Sequence, residues 1–90
     1  MSISKTLKIV NEKGLHARAS AKLVELVEEY NANAEVSRDG VSAAGDSIMG
    51  LLMLAASKGT SIEVETSGPD AEKLMEALEA LVANRFGEDF

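Results

Sequence analysis

The sequence predicts an α+β fold in which helices cover one side of a largely antiparallel sheet, a two-layer open-faced sandwich. Several short segments alternate apolar and polar residues, a period that indicates strands with one polar face. Other segments repeat apolar residues at intervals of three and four, which indicates helices with a buried stripe. Asp39-Gly40 separates two of the alternating segments and is typical of a tight hairpin turn. The predicted element order is β-α-β-β-α-β-α.

The first half of the chain contains a strand, a helix and a hairpin. The strand covers Ile3–Ile9, where apolar residues alternate with serine, threonine and lysine. The helix covers about Ala17–Tyr30, with its apolar stripe mostly opposite its glutamates. A second strand begins at Ala34, and the Asp39-Gly40 turn joins it to a third strand over Val41–Ala43. Because a type I′ turn needs two residues that tolerate positive φ, these two strands are expected to pair antiparallel.

The second half contains two helices on either side of a strand. An apolar helix is predicted over Ser47–Ser57, closed by the lysine and glycine that follow it. A fourth strand covers Ile62–Thr66, and its glutamates are expected to face water. The last helix is predicted over about Pro69–Asn84, because proline is a favoured first helical residue. Beyond Phe86 we expect the tail to fray.

Composition and charge exclude several classes of protein. Ninety residues, of which 46% are hydrophobic, suffice for one small core, so a single domain over residues 1–90 is expected. Without cysteine and with one histidine, the chain offers no thiolate or histidine cluster, and we expect no metal and no cofactor. Fifteen acidic against nine basic residues give a net charge of −6, which disfavours nucleic acid and anionic membranes as partners.

Hydropathy indicates neither a membrane span nor an export signal. The longest apolar run, Ile48–Ala56, is interrupted by Gly50 and is far shorter than the about 20 residues that cross a bilayer. The segment Met1–Lys5 lacks the basic start and long apolar centre of a signal peptide. We therefore expect a cytoplasmic protein whose macromolecular partners are proteins.

The hexapeptide Gly14–Ala19 places the only histidine, His16, two residues before Arg18 at a predicted helix start. Unpaired backbone N–H groups and the positive end of the helix dipole favour an anion there. Arg18 adds a planar fork that can hold phosphate oxygens. A neutral imidazole nitrogen of His16 is nucleophilic near neutral pH and can carry the phosphate covalently. The pattern indicates a phosphohistidine site, and the competing interpretation is a surface histidine without chemistry.

The second predicted helix permits two interpretations. It is apolar nearly all round, with six large apolar residues between Ile48 and Leu54, whereas a helix on a sheet buries only one stripe. It is either a deeply buried short helix or an exposed apolar patch that docks partner proteins. Ser47, directly before this helix, has the usual features of an N-cap.

Two motifs and the element order carry a resemblance to a known family. With Gly14-Leu15-His16-Ala17-Arg18 in the first loop and Asp46-Ser47-Ile48-Met49-Gly50 at the second helix, the chain resembles the HPr family. These proteins are the histidine-containing phosphocarriers of the bacterial phosphoenolpyruvate-dependent phosphotransferase system. The resemblance covers nearly the whole chain and implies a four-stranded antiparallel sheet of order 1-4-2-3 with three helices on one face. It also implies a stoichiometric phosphocarrier rather than an enzyme, and we expect a monomer.

The resemblance implies roles for individual residues. Phosphorylated enzyme I would transfer the phosphoryl group to His16, and an EIIA domain would receive it. Arg18 matches the phosphate-site arginine of the family. Ser47 matches the serine that an HPr kinase/phosphorylase modifies in many bacteria, a role that can coexist with N-capping. The resemblance also favours the docking patch over the buried helix, with contacts at Ala17, Ile48, Met49 and Leu52.

At one position the chain departs from the family pattern, and several alternative functions stay open. Ala19 stands where most of the family has proline, so we expect a slightly shifted or looser helix start without loss of function. The nitrogen-branch NPr proteins share the fold and the histidine, and Leu51–Leu54 resembles that branch too. A small acylphosphatase-like phosphatase would need a glycine-rich loop ending in Phe-Arg, which is missing here. A purely regulatory module with an unreactive His16 is disfavoured by the intact pair of His16 and Arg18.

Overall fold

Four strands and three helices follow one another in the predicted order β-α-β-β-α-β-α. The structure, a computed structural model, describes residues 2–90. The strands are β1 (Ser2–Lys8), β2 (Asn33–Arg38), β3 (Val41–Ala44) and β4 (Ser61–Ser67). The helices are α1 (Ala17–Glu28), α2 (Ile48–Met53) and α3 (Ala71–Ala83), and a 3₁₀ turn over Arg85–Gly87 follows α3. No helix in residues 2–90 is long and apolar enough to cross a membrane.

The sheet has the strand order β1-β4-β2-β3, and every neighbouring pair is antiparallel. In β4, one of the two inner strands, Ile62, Val64 and Thr66 are buried under the helices, whereas Glu63 and Glu65 are exposed. The glutamates therefore face water, as the alternating pattern predicted. The α+β open-faced sandwich and the strand order implied by the resemblance are confirmed.

The turn between β2 and β3 has the predicted geometry. Asp39 has a φ of 50° and Gly40 a φ of 82°. A type I′ turn requires positive φ at both central positions, and its twist suits two antiparallel strands. Arg38 pairs with Val41 directly across the turn, so the hairpin predicted from Asp39-Gly40 is confirmed.

The hydrophobic core lies between the sheet and the helices. Helix α3 packs against β1 and β4, α2 packs against β3, and α1 contacts both other helices. Leu23 of α1, Leu51 of α2, and Leu74 and Leu78 of α3 are almost completely buried. Each helix thus directs one apolar stripe inward. The shared core joins α1 to α2, the two helices that begin at the sequence motifs.

Helix α2 is shorter than predicted, because it covers Ile48–Met53 and not Ser47–Ser57. Leu54 and Ala56 are both buried. Residues two apart lie on nearly opposite sides of a helix, so burial of both requires the helix to end before them. Ala55 between them has a left-handed φ of 51°, and Nη1 of Arg38 donates to the Leu54 carbonyl at 3.0 Å. Tertiary burial overrides the helical propensity of this segment.

The boundaries of the other helices differ slightly from the prediction. Helix α3 begins at Ala71 and not at Pro69, because Asp70 is held outside it by two bonds to Asn31. The Asn31 N–H donates to Oδ2 of Asp70 at 2.9 Å, and the Asp70 N–H donates to the Asn31 carbonyl at 3.1 Å. Helix α1 ends at Glu28, whereas the prediction extended it to about Tyr30.

The prediction that the tail frays is wrong. Phe86 is completely buried, and Nζ of Lys22 donates to its carbonyl at 2.6 Å. Arg85 and Phe86 have left-handed φ angles of 55° and 54°, which reverse the chain after α3. The Glu12 N–H then donates to a carbonyl oxygen of Phe90 at 3.1 Å. These contacts bring residues 88–90 beside the loop that precedes α1.

Candidate functional site

His16 lies where α1 begins. It is the N-cap residue, with an extended backbone of φ −82° and ψ −176°, and its carbonyl accepts from the Ser20 N–H at 2.8 Å. The imidazole makes no capping hydrogen bond and is 27% exposed. A ring that is accessible and free of a capping role suits the predicted phosphohistidine.

The loop before His16 is held by the segment that follows α2. Gly14 has a φ of 65°, and a Cβ at this position would lie 2.5 Å from the Ala56 carbonyl oxygen and 2.8 Å from the Ser57 Cα. Only glycine fits so close to another backbone at positive φ. The N–H of Leu15, a buried residue, donates to the Ala56 carbonyl at 2.8 Å. The position of His16 therefore depends on the loop after α2.

A carboxylate from the C-terminal tail contacts the imidazole. Nε2 of His16 contacts Oε2 of Glu88, and Oε1 of Glu88 accepts from Nδ2 of Asn11 at 2.9 Å. Asn11 is fully buried, and its Nδ2 also donates to the Gly14 carbonyl at 2.8 Å. The hydrogen bonds from Asn11 and His16 lower the pKa of the Glu88 carboxyl, although partial burial opposes this. Glu88 therefore faces His16 as a carboxylate at neutral pH.

Arg18 is exposed and lies in a cleft beside the histidine. The cleft of about 470 Å³ is lined by Arg18, Lys13, Lys22 and Glu88, among others. His16 instead borders a neighbouring depression, and no hydrogen bond joins the His16 and Arg18 side chains within residues 2–90. Glu88 lies at both places, because it contacts His16 and lines the cleft. Glu12 and Asp89 line the same cleft, so its three cations face three carboxylates and it has no net positive charge.

The start of α2 has the predicted cap and an exposed apolar side. Oγ of Ser47 accepts from the Gly50 N–H at 3.1 Å, which confirms the N-cap. Ile48 is 40% exposed and Met49 71% exposed, so the helix is not deeply buried. Met53, which was not among the predicted docking residues, is 76% exposed on the same short helix.

The remaining predicted docking residues lie near His16. Ala17 follows it at the first position of α1 and is exposed. Leu52 is half-buried and lines the same depression as His16. We use the term apolar patch for the exposed and half-buried residues Ala17, Ile48, Met49, Leu52 and Met53.

Asn11 and Glu88 are the site residues that sequence reasoning missed. They are 77 positions apart, and neither belongs to a periodic segment. Asn11 is a polar residue just after the first strand, which is only a weak signal of a site. No pattern in the neighbouring sequence indicates that Asn11 is buried. Within residues 2–90, no group of three histidine, cysteine or acidic side chains could hold a metal ion.

Comparison with known proteins connects this geometry to a family. The family model described as "PTS HPr component phosphorylation site" matches residues 3–84. The chain belongs to the HPr family. Phosphocarrier protein HPr of Cupriavidus necator is 51% identical over 80 residues, which cover 89% of this chain and 90% of that protein. Phosphocarrier protein NPr of Escherichia coli is 40% identical over 90 residues, covering 99% and 100%.

A solved structure agrees with the same assignment. HPr-C-His from Thermoanaerobacter tengcongensis superposes with a TM-score of 0.92 at 32% identity, covering 98% of this chain and 99% of that one. This HPr-family chain is a phosphocarrier, and its partners are phosphotransfer proteins of the phosphotransferase system. The matched region includes His16, Arg18 and Ser47, whereas Glu88 lies beyond its end at residue 84.

Proposed function

We propose that this HPr-family chain accepts a phosphoryl group on His16 from phosphorylated enzyme I and passes it to an EIIA domain. The observation that carries this proposal is the partly exposed imidazole at the start of α1, which contacts a carboxylate and lies next to the apolar patch. The chain holds the group stoichiometrically and is a carrier rather than an autonomous catalyst.

The transfer needs one bond to form and one to break. A lone pair on a ring nitrogen of His16 forms the bond to phosphorus, while the bond between phosphorus and the donor's leaving atom breaks. The electron pair of the broken bond stays with the donor. The imidazole ring then carries a positive charge, which the adjacent Glu88 carboxylate stabilises. The same step in reverse releases the phosphoryl group to the acceptor.

Arg18 is proposed to stabilise the phosphoryl group during transfer. It is exposed at the start of α1, where free backbone N–H groups and the helix dipole also favour negative charge. Loss of a donor aimed at developing charge lowers a rate by about 10²–10³, so Arg18→Ala should slow phosphoryl transfer by this factor with near-normal thermal stability. Stopped-flow or quench measurements with enzyme I provide the rate.

Lys13→Ala is the matched control for Arg18→Ala, because it removes a positive charge from the same cleft. We expect a much smaller effect, since a general loss of positive potential weakens attraction of the donor but not its orientation. Equal slowing by both variants would show that Arg18 acts only through the net charge of the cleft.

One experiment tests the proposed function directly. The protein is incubated with phosphoenolpyruvate and enzyme I, and the product is tested for an acid-labile, alkali-stable phosphoryl group. A carrier retains this group, an acylphosphatase-like enzyme releases it as phosphate, and an unreactive regulatory module never acquires it.

The end-to-end match to NPr of Escherichia coli keeps the nitrogen branch as a second candidate. Parallel assays with enzyme I of the sugar branch and of the nitrogen branch decide between them.

The apolar patch is proposed to dock both partners. Met49 is 71% exposed, so Met49→Glu should leave the domain folded and weaken binding to enzyme I by at least about tenfold, as expected for an apolar anchor. Isothermal titration gives the affinity. Ala80→Glu, at an exposed position of α3, adds the same charge elsewhere and should bind like the unmodified chain. If Met49→Glu also binds normally, the patch does not contact enzyme I.

Phosphorylation of Ser47 by an HPr kinase/phosphorylase is proposed to regulate the relay. A phosphate adds a charge of about −1.5 to −2, and the start of α2 tolerates it because the dipole and free N–H groups favour an anion. Next to Ile48 and Met49, however, this charge must be desolvated when a partner docks. The same titration with Ser47-phosphorylated protein should show weaker binding by a folded domain. Unchanged affinity would leave Ser47 with its capping role alone.

Some expectations stay predictions. They are a single domain over residues 1–90, a monomer in solution, a cytoplasmic location, and a slightly looser helix start where Ala19 replaces the usual proline. Light scattering of the purified protein tests the monomer, and amide hydrogen exchange over the first turn of α1 tests the effect of Ala19.

A further inference from the structure

Both carboxylate oxygens of Glu88 contact neighbouring side chains. Oε1 accepts from Nδ2 of Asn11 at 2.9 Å, and Oε2 contacts Nε2 of His16. An ionised carboxylate only accepts hydrogen bonds, so the hydrogen in its contact with neutral His16 belongs to Nε2. Within residues 2–90 no hydrogen bond reaches Nδ1 of His16.

Asn11 has its amide orientation fixed by the backbone. Nδ2 donates to the Gly14 carbonyl at 2.8 Å as well as to Glu88. Its Oδ1 is buried and has no hydrogen-bond partner within residues 2–90. Rotating the amide by half a turn would place Oδ1 against two acceptors, the Gly14 carbonyl and the Glu88 carboxylate. Asn11 therefore presents a donor to Glu88, although its own oxygen stays unsatisfied.

We infer that Asn11 and Glu88 are positioning residues that set the tautomer of His16, keeping the hydrogen on Nε2 and leaving the lone pair on Nδ1. This inference rests on the proposed phosphorylation of His16 and adds the two residues that leave its Nδ1 free to react. The order of contacts is Asn11 Nδ2 to Glu88, then Glu88 to His16 Nε2. Nδ1 then bonds to phosphorus, and Nε2 keeps its hydrogen throughout the transfer.

A glutamine at position 88 should invert this arrangement. Glutamine has one acceptor and one donor at its end, and Asn11 faces it with a donor. The amide oxygen therefore turns to Asn11 and the NH₂ group turns to Nε2, which must then accept. The ring hydrogen of neutral His16 then lies on Nδ1, whose lone pair is no longer available to bond to phosphorus. In serine proteases a neutral amide behind the catalytic imidazole likewise favours the wrong tautomer.

Glu88→Gln should consequently slow phosphoryl acceptance more than Glu88→Ala, although glutamine is the closer match in shape. We expect a loss of at least about tenfold for Glu88→Gln and of about threefold for Glu88→Ala, which removes the contact without imposing a tautomer. Glu63→Gln is the matched control, because it makes the same substitution at an exposed carboxylate on the outer face of the sheet and should keep the original rate. Thermal unfolding checks that each variant is folded.

Heteronuclear NMR of the His16 ring nitrogens gives a readout that a merely structural role would not change. At about pH 8.5, well above the usual imidazole pKa of about 6.5, the hydrogen should be on Nε2 in the unmodified chain and in Glu63→Gln. It should be on Nδ1 in Glu88→Gln. Adding Asn11→Ala to Glu88→Gln removes the donor that orients the glutamine, so the Nε2 tautomer should return in part.

The outcomes separate this inference from the proposed function. An Nε2 hydrogen in Glu88→Gln, or a rate equal to that of Glu63→Gln, would overturn the role of Glu88. An unchanged Nδ1 hydrogen in the double variant would overturn the role of Asn11. If the unmodified chain never acquires a phosphoryl group, the proposed function fails, while the NMR signals still report the tautomer.

Discussion

Replacing His16 with alanine is expected to abolish phosphoryl acceptance while the domain stays folded. The imidazole supplies the proposed reacting nitrogen, and no other histidine exists in the chain. The side chain is 27% exposed and makes no capping bond, so its loss removes little packing. Glu88 keeps its hydrogen bond from Asn11, and we expect a stability loss of about 1 kcal/mol or less. The measurement is incorporation of acid-labile phosphate from phosphoenolpyruvate with enzyme I.

Ser47 provides an internal control for this variant. Phosphate added there by a kinase is an acid-stable ester, so His16→Ala should still accept it if the fold is intact. Loss of both modifications would indicate unfolding rather than loss of the site. Acid-labile phosphate in the His16→Ala variant would contradict the assignment of His16.

Gly14→Ala is expected to have the largest effect on stability near the site. Its φ of 65° is strained for alanine by about 1–2 kcal/mol. The new Cβ would also lie 2.5 Å from the Ala56 carbonyl oxygen, a backbone atom that cannot rotate away. We expect a total loss of about 3 kcal/mol or more, or a fall in Tm of about 12 °C or more. His16, two residues later, should be displaced, which slows transfer by about tenfold or more.

Gly40→Ala separates backbone strain from the steric clash. Gly40 has a similarly positive φ of 82°, but no atom lies within 4 Å of a Cβ built there. Only the strain of about 1–2 kcal/mol should appear, and transfer from phosphorylated enzyme I should be unchanged. Thermal unfolding and transfer rates of the two variants are compared directly. Equal losses would mean that the close approach of Gly14 to Ala56 does not hold the loop.

Local patterns in the sequence determined the type of each element and part of the site. Alternation and helical spacing predicted the seven strands and helices, because each element must bury one face whichever partner covers it. Asp39-Gly40 predicted its hairpin through backbone geometry, and Ser47 predicted its cap through a bond three residues away. His16 and Arg18 could be assigned to a helix start for the same local reason.

The strand order came from the family resemblance and not from the pattern. Alternation shows that a strand has a buried face but does not identify the neighbour that pairs with its edge. The structure confirms this order, with β4 between β1 and β2 and the exposed Glu63 and Glu65 on its outer face.

Tertiary structure alone decided where α2 ends and what contacts His16. Leu54 and Ala56 lie outside the helix because both are buried in the core. The helical spacing of apolar residues gives no indication of this burial. Asn11 and Glu88 meet only after α3 and the buried Phe86 return the tail to the start of α1. A contact between residues 77 positions apart depends on how the whole core packs, so local periodicity carries no information about it.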